Sequence, residues 1–416
     1  MNLPSAFSYR QGILHCQDVD LRHLADEVST PCYLYSESAI VSNLDRLRQS
    51  FSAVEPLICY AVKANSNLSV LKLLLDNGSG FDIVSGGELR RVLHVGADPR
   101  QVVFSGVGKS RQELEMALQT GLFSIHVESL PELELIGRLA RQRGQRARIS
   151  FRFNPDVDAR THPYIATGLR RHKFGLDISR AGEVIEALKG HPGLEVAGVG
   201  CHIGSQIFDM QPFIESFRKV KQVAGRFREQ GFKVRHLDLG GGLGVPYEPG
   251  QSRPQLARYA EVVEREREDY QIVLEPGRCL VADAGALLTR VLYRKVNNDK
   301  HFVVVDGAMN DLLRPSLYQA YHEIAPVEQK EAAVCADVVG PVCETGDFLA
   351  RDRLVADFRS GDLAAVLHAG AYGFCLSSNY NSRPRTAEVM VRNGGWDVIR
   401  CRESFQDLIR GEEPQE

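Results

Sequence analysis

The sequence predicts an α/β fold, a parallel (β/α)8 barrel of the TIM type, together with a second domain that is all β. From residue 56 onward, a short apolar run, a polar or glycine-containing exit and a segment of helical period follow one another eight times, and helical segments become rare after about residue 282. Parallel strands need crossover connections and are buried on both faces, so their sequences are continuously apolar. Eight such units over about 220 residues fit a barrel better than a doubly wound open sheet, which is the competing architecture.

The barrel elements can be placed individually. The connection after the first strand is typical of a strand, turn and helix, because Ser66 or Asn67 can cap a helix and Gly78 can end it. Its apolar face consists of Val70, Leu71, Leu74 and Leu75. The eight strands are expected to centre on Ile58, Ile83, Val103, Ile125, Phe151, Val199, Leu237 and Val273.

The second domain is predicted from apolar or alternating runs divided by turns. Two N-terminal runs, 9–15 and 31–35, resemble strands more than barrel units, so we expect them to join its sheet. The other strands are expected at 287–296, 301–306, 332–339, 363–368 and 387–392. The predicted domains are N-terminal strands at 1–35, a barrel at 36–281 and a sandwich-like β domain at 282–416.

Composition and charge exclude several classes of partner. The chain has 416 residues, of which 44% are hydrophobic and 25% charged, and its formal net charge is −3. This charge supplies no basic field for nucleic acid or for an acidic membrane surface. We find neither a secretory leader nor a run of the ~20 apolar residues that a membrane span needs. The nine cysteines are scattered singly, which predicts reduced thiols. We expect a cytoplasmic protein with a small-molecule partner.

A barrel carries its chemistry at the carboxyl ends of its strands. Lys63 follows the first strand, and an amine with apolar neighbours has a lowered pKa and can form a Schiff base with an aldehyde. A surface lysine is an equally good interpretation of that segment alone. The glycines at 240–242 follow the seventh strand, where backbone N–H groups can approach an anion, and Ser205 could add a hydroxyl. A simple turn is the alternative interpretation of these glycines.

Two further exits complete the pattern. Glu275 begins a Pro-Gly turn after the eighth strand, where a carboxylate can keep a pyridine nitrogen protonated. His202 ends the sixth strand and can lie flat on an aromatic ring, although an exposed glutamate and a core histidine are the simpler interpretations. Together these groups specify pyridoxal 5'-phosphate. No metal site is expected, because the exits supply Glu128, His202 and Glu275 only as single ligands.

These motifs resemble the barrel-type (fold type III) pyridoxal-phosphate decarboxylases, the family of the ornithine, arginine and diaminopimelate decarboxylases. The resemblance covers nearly the whole chain, and its first motifs lie at 60–65, 81–88, 202–206 and 275–278. Longer stretches are similar to the diaminopimelate branch of that family, at 154–158, 161–165, 167–169, 173–175, 309–312, 314–318, 343–344, 371–373 and 379–385. Gly307, where that branch usually has alanine, is a small departure that affects no catalytic group.

The resemblance implies a carboxy-lyase that converts meso-2,6-diaminopimelate to L-lysine and CO2, the last step of bacterial lysine biosynthesis. Lys63 would hold the cofactor as a Schiff base, His202 would stack on its ring and Glu275 would pair with its pyridine nitrogen. The other cofactor-binding residues would be Ser205, Gly241, Gly242, Pro276, Gly277, Arg278 and Tyr372. The substrate would be bound by Arg278, Arg314, Tyr318, Glu344 and Tyr372.

The resemblance also implies a homodimer. Cys343 would return a proton to the substrate carbon, and Cys343 with Glu344 would reach the site from the other subunit. A decarboxylase of ornithine, arginine or a polyamine precursor is the alternative, but Arg314 with Tyr318 suits a second carboxylate. A non-catalytic relative is the third possibility. It should have lost the reactive groups, whereas Lys63, His202, Glu275 and Cys343 are all present.

Overall fold

The computed structural model describes residues 3–158 and 173–412. The predicted motif segments 161–165 and 167–169 lie outside the described residues. The chain divides into two compact units, which are described separately. The β unit comprises Met1–Asn43, Pro246–Ser252 and Arg278–Glu416, and the barrel unit comprises Leu44–Val245 and Arg253–Gly277.

The first elements of the chain form a small antiparallel sheet of their own. It contains β1 (Phe7–Arg10), β2 (Ile13–Cys16) and β3 (Val19–Asp20). The prediction that 9–15 joins the large sheet is therefore wrong. Gln11 and Gly12 have φ values of +48° and +80°, and this turn folds the segment back on itself. The next elements are α1 (Leu21–Val28), β4 (Cys32–Ser36) and α2 (Glu37–Ser50).

The barrel unit contains the predicted closed parallel sheet, which confirms the fold class. Its strands pair in sequence, including the fourth with the fifth, and the eighth strand pairs with the first to close the barrel. The strands are β5 (Leu57–Ala61), β6 (Gly80–Ile83), β7 (Val102–Phe104), β8 (Ser124–Val127), β9 (Ala147–Asn154), β10 (Leu176–Asp177), β11 (Leu194–Gly200), β12 (His236–Asp238) and β13 (Gln271–Leu274). The two-residue β10 pairs only with the last two residues of β9, and the other eight strands form the barrel.

Helices connect these strands, as the periodicity predicted. In the first crossover the side chain of Asn67 accepts a hydrogen bond from the Ser69 N–H, and Val70, Leu71 and Leu74 are buried. The helices are α3 (Leu68–Asp76), α4 (Gly86–His94), α5 (Arg111–Thr120), α6 (Leu130–Gln142), α7 (Ala181–Leu188), α8 (Gln211–Glu229) and α9 (Ala257–Glu266). Short 3₁₀ turns lie at Val62–Ala64, Pro99–Gln101 and Ile178–Arg180.

The β unit continues from residue 278. Its elements are α10 (Arg278–Val281), β14 (Gly285–Asn297), β15 (Lys300–Val305), α11 (Arg314–Tyr318), β16 (Ile324–Pro326), β17 (Ala333–Val339), β18 (Phe348–Ala356), β19 (Leu363–Val366), β20 (Ala387–Arg392), β21 (Gly395–Arg400) and α12 (Phe405–Leu408), with 3₁₀ turns at Ala282–Ala284, Phe374–Leu376 and Tyr380–Ser382. The strands form a path in the order β18-β17-β15-β14-β4-β20-β21, and β19 pairs with both β14 and β16.

The N-terminal strand β4 lies inside this sheet, which confirms the prediction for 31–35. It runs antiparallel to β14 and parallel to β20. Its tyrosines fix it there: the Tyr33 hydroxyl donates to the Asp311 carbonyl oxygen at 2.6 Å, and the Tyr35 hydroxyl donates to Glu388 at 2.7 Å. Arg400 holds the other oxygen of Glu388. A search of the described residues finds no helix with the length and apolar character needed to cross a bilayer.

The inside of the barrel is packed around a polar pair. The Ser150 hydroxyl lies 2.9 Å from His236 Nε2, and the His236 ring packs against Phe123 with centroids 4.8 Å apart. Gly198 on β11 makes room for this histidine, because a Cβ there would lie 2.0 Å from His236 Nε2.

We expect Gly198→Ala to destabilise the protein, because the added methyl group must displace a packed ring rather than the end of a flexible side chain. Overpacking of this kind costs about 1–3 kcal/mol. Gly225→Ala in α8 is the matched control: its Cβ meets nothing within 4 Å, and replacing a mid-helix glycine gains about 0.5–1 kcal/mol. Thermal unfolding of both variants checks this, and an equal effect of the two would contradict it.

Candidate active site

The lysine predicted as the nucleophile lies directly after the first barrel strand. Lys63 is the middle residue of the 3₁₀ turn that follows β5, and its Nζ lies 2.9 Å from Asp82 Oδ2. The Asp82 side chain is completely buried on β6. The sequence led us to expect apolar neighbours, but the structure adds an ion pair with a buried carboxylate.

A second polar group lies at the same end of the barrel, around Glu275. The Ser105 hydroxyl donates to Glu275 Oε1 at 3.3 Å and lies 3.3 Å from His126 Nδ1. On the other side of that ring, His126 Nε2 lies 3.4 Å from Asp238 Oδ2. One ligand atom from each of His126, Asp238 and Glu275 lies within 4.8 Å of the other two. This spacing suits a cation. The sequence indicated only Glu275 as a partner for a positive charge, and it did not indicate His126 or Asp238.

Burial and mutual repulsion determine the charge of this group. Burial raises the pKa of Glu275 well above its usual value, and the carboxylates of Asp238 and Asp82 raise it further. Burial also raises the pKa of Asp238, to about 7. Burial lowers the pKa of His126 well below its usual value, so this ring is neutral. Because two close buried carboxylates resist joint ionisation, Asp238 and Glu275 compete for a proton. A cation beside Glu275 would remove that competition.

His202 is fixed by the glycine loop. Its Nδ1 accepts a hydrogen bond from the Gly241 N–H at 3.1 Å, so the hydrogen of the neutral ring is on Nε2. Burial lowers the pKa of His202 well below its usual value, and the positive charges of Arg152 and Lys63 add to this effect. The site therefore presents a neutral, oriented imidazole.

The glycine loop cannot carry side chains. A Cβ on Gly241 would lie 2.1 Å from the Glu275 carbonyl oxygen, and one on Gly242, whose φ is +109°, would lie 2.4 Å from the Gly204 carbonyl oxygen. The Ile207 N–H donates to the Gly242 carbonyl oxygen at 3.0 Å. This bond places the segment that contains Ser205 beside the loop. Such a bare backbone is the surface that a phosphate needs for close approach.

Glu128 has a structural role in this unit. Its carboxylate accepts hydrogen bonds from the Gly106 N–H at 2.8 Å and from the Gly175 N–H at 3.0 Å. Arg152 donates to the same carboxylate at 3.1 Å. Glu128 thus connects the loop after β7, the segment before β10 and strand β9, and these contacts occupy both of its oxygens.

The predicted substrate arginines form a separate group in the β unit, around Tyr247. Arg278 donates to the Tyr247 hydroxyl at 3.1 Å, and the Arg314 guanidinium lies 4.6 Å from the centre of that ring. Arg278 also lies 4.7 Å from the centre of the Tyr372 ring. Arg314 Nη1 donates to His322 Nε2 at 2.8 Å. Both guanidinium groups are buried.

The positive charge of Arg314 is not balanced by a carboxylate among the described residues. Within residues 3–158 and 173–412 it has no carboxylate partner, and its Nε has no hydrogen-bond acceptor. Burial lowers the pKa of this guanidinium, and the like charge of Arg278 lowers it further. A buried cation in this state is stabilised by an anionic ligand.

Two of the remaining predicted residues, Cys343 and Glu344, are exposed, whereas Tyr318 acts electrostatically on both arginines. The Cys343 side chain is exposed, and its backbone N–H donates to Asn381 Oδ1 at 2.8 Å. Glu344 is also exposed and accepts a hydrogen bond from the Tyr380 hydroxyl at 3.4 Å. Tyr318 ends α11. In the described part of one chain, Cys343 and Glu344 therefore face solvent.

Sequence reasoning missed Asp82, His126 and Asp238, although each left a signal. Each is a polar residue between two apolar ones inside a barrel strand, as in Phe81-Asp82-Ile83. Because such a strand is buried on both faces, a polar side chain within it must meet a partner or a ligand. Because only the residues that follow each strand were considered as candidates, this pattern was missed.

Comparisons with known proteins agree with this chemistry. Residues 37–282 match the family described as pyridoxal-dependent decarboxylase, pyridoxal binding domain. The diaminopimelate decarboxylase of Pseudomonas aeruginosa is 48% identical over 410 residues, which cover 98% of each chain. The crystal structure of diaminopimelate decarboxylase from Helicobacter pylori complexed with L-lysine is similar with a TM-score of 0.90 and 43% identity, over 94% of this chain and 98% of that one. The crystal structure of diaminopimelate decarboxylase from M. jannaschii in co-complex with L-lysine has a TM-score of 0.93 and 35% sequence identity. The match covers 99% of this chain and 98% of that one.

We expect Asp238→Asn to flatten the pH dependence of stability of the cofactor-free protein. The pKa of Asp238 is about 7 in the folded chain and about 3.9 when unfolded. Between these values the folded state binds the extra proton, so stability is highest at low pH and falls as pH rises, by at most about 1.4 kcal/mol per pH unit.

Urea unfolding at pH 5, 6, 7 and 8 measures this slope. Glu229→Gln, which removes an exposed carboxylate at the end of α8, is the control and should keep the wild-type slope. Equal slopes in the wild type and Asp238→Asn would show that Asp238 does not take up the proton.

Proposed function

This chain belongs to the pyridoxal-dependent decarboxylases, and we propose that it converts meso-2,6-diaminopimelate to L-lysine and CO2, as a cytoplasmic carboxy-lyase of lysine biosynthesis. The observation that carries this proposal is the buried pair Arg278 and Arg314, of which Arg314 has no carboxylate partner among the described residues. The near full-length match to diaminopimelate decarboxylases supports it. We assign the cofactor domain to residues 36–281 and the β domain to 1–35 and 282–416.

The barrel residues fit pyridoxal 5'-phosphate. The glycine loop leaves no space for side chains, and the shared proton of Asp238 and Glu275 indicates a place for a positive charge. When bound, the cofactor would supply an electrophilic aldehyde and a protonated ring that accepts the electron pair left on the substrate carbon when CO2 departs.

The residues around the cofactor have distinct roles. Lys63 is the amine that binds the aldehyde, and Asp82, 2.9 Å from its Nζ, orients that amine and takes part of its charge. Glu275 would hold the ring nitrogen as its ionised partner, which would keep the ring a strong electron acceptor. His202, neutral and held by the Gly241 N–H, would hold the ring without adding charge.

The phosphate and the substrate are bound by further residues. We assign the phosphate to Ser205, Gly241, Gly242, Pro276, Gly277, Arg278 and Tyr372, and the substrate to Arg278, Arg314, Tyr318, Glu344 and Tyr372. Diaminopimelate keeps one carboxylate and one ammonium group at the end that does not react. A guanidinium binds the carboxylate in a fork geometry, and Glu344 suits the ammonium group. A diamine-forming enzyme would instead place acidic groups at that end.

We further propose that the enzyme acts as a homodimer. Cys343 is the group that returns a proton to the carbon atom that lost its carboxylate, and Glu344 is its neighbour. Both side chains are exposed in the described chain. A position in the partner's site would give them the enclosure that proton transfer and ion pairing require.

Substrate choice tests the reaction directly. Purified protein with pyridoxal phosphate is given diaminopimelate, ornithine or arginine separately, and CO2 and the amine product are measured. We expect L-lysine from diaminopimelate and at least about 100-fold lower kcat/KM for the other two, because they leave a buried arginine unpaired. Faster release of CO2 from ornithine or arginine would reverse this assignment.

Mixed dimers test the sharing of residues between subunits. Lys63→Ala and Cys343→Ala should each have very low activity alone. When the two are co-expressed with different tags, random pairing makes half of the dimers mixed, and each mixed dimer has one intact site. We therefore expect about a quarter of the wild-type activity per dimer. Co-expressed protein no more active than the separate variants would refute a shared site.

A further inference from the structure

The partner of Arg314 is a histidine whose protonation is fixed by its other contact. His322 is completely buried, and its Nδ1 lies 2.8 Å from the Leu367 carbonyl oxygen. A carbonyl oxygen only accepts hydrogen bonds, so Nδ1 must carry the ring hydrogen. The opposite nitrogen, Nε2, is then a lone-pair acceptor, and Arg314 Nη1 donates to it at 2.8 Å. A second ring proton would point at the guanidinium, so this geometry requires a neutral imidazole.

Among the described residues, the groups with the largest electrostatic effect on Arg314 include no carboxylate. The Tyr247 ring lies under its guanidinium at 4.6 Å, and the same ring packs edge to face against His322, with centroids 5.5 Å apart. The largest electrostatic effects on Arg314 come from Tyr247, Arg278, Tyr372 and Tyr318. Arg314 is therefore held in place by a neutral acceptor and an aromatic face, and its charge is not neutralised by them.

We infer that His322 is a positioning residue that holds Arg314 with its full positive charge available to the carboxylate that survives the reaction. This inference rests on the proposed function and deepens it, because it explains how one arginine can be both buried and available. A glutamate at this position would satisfy the same N–H group, but it would also neutralise the guanidinium. The substrate carboxylate would then compete with an internal one.

Two variants distinguish the effect of a negative charge at position 322 from the effect of a changed side-chain shape. His322→Glu places a carboxylate against Arg314, whereas His322→Gln offers a neutral acceptor oxygen of nearly the same shape and an N–H for the Leu367 carbonyl oxygen. The probes are L-lysine and 1,5-diaminopentane, which differ only by the carboxylate group. Binding of both probes to the holoenzyme is measured by calorimetry. Thermal unfolding and cofactor absorbance are used to check that each variant is folded and loaded.

We expect His322→Glu to weaken L-lysine binding about 10- to 100-fold and to change diamine binding by less than about threefold. His322→Gln should weaken L-lysine binding by less than about threefold. In turnover of diaminopimelate, the glutamate variant should raise KM much more than it lowers kcat, since Arg314 holds the end that does not react.

Three results would overturn the inference. The first is an equal loss of L-lysine binding in the two variants, which would indicate a purely structural histidine. The second is an equal loss of L-lysine and diamine binding in the glutamate variant. The third is wild-type holoenzyme that binds L-lysine no better than the diamine. Failure of the proposed function is seen separately, as wild-type enzyme that releases no CO2 from diaminopimelate.

Discussion

Buried negative charge at the carboxyl end of the barrel is the constraint on which the rest of the site depends. Asp82 on β6, Asp238 on β12 and Glu275 just after β13 are all buried. Carboxylates in such a place are tolerated only with cations or protons to balance them. Lys63 balances the first, and the other two compete for a proton. The proposed roles of Lys63 as the catalytic amine and of Glu275 as the partner of a protonated ring would thus have the same electrostatic origin.

The fold was largely predictable because barrel strands leave a strong pattern. Runs such as Leu57–Ala61 are apolar without alternation, and caps such as Asn67 mark where helices begin. The β unit was harder to predict. The edge strand Phe348–Ala356 carries charges on its exposed residues, and Ile324–Pro326 is too short to show a period. The strand Gly395–Arg400 is half exposed and begins at a turn glycine.

The sequence could indicate those candidate site residues whose side-chain chemistry fits the cofactor and which follow a barrel strand. Lys63, His202 and Glu275 stand at strand ends, and both the spacing and the family resemblance pointed to them. The electrostatics were not predictable from spacing, because they depend on side chains that meet across the barrel or from distant parts of the chain. His322 is an example: nothing in its sequence neighbourhood shows that its ring lies between Arg314 and the Leu367 carbonyl oxygen.

The position of β4 has a consequence for how the protein is made. Cys32 pairs with Leu288 on one side and with Ala387 on the other. During synthesis the barrel strands leave the ribosome in order and can find their neighbours at once. The early strand β4 must instead wait, with its tyrosines unsatisfied, until nearly the whole chain has emerged. A nascent chain halted near residue 290 would therefore expose this segment to chaperones, and the completed, released chain would not.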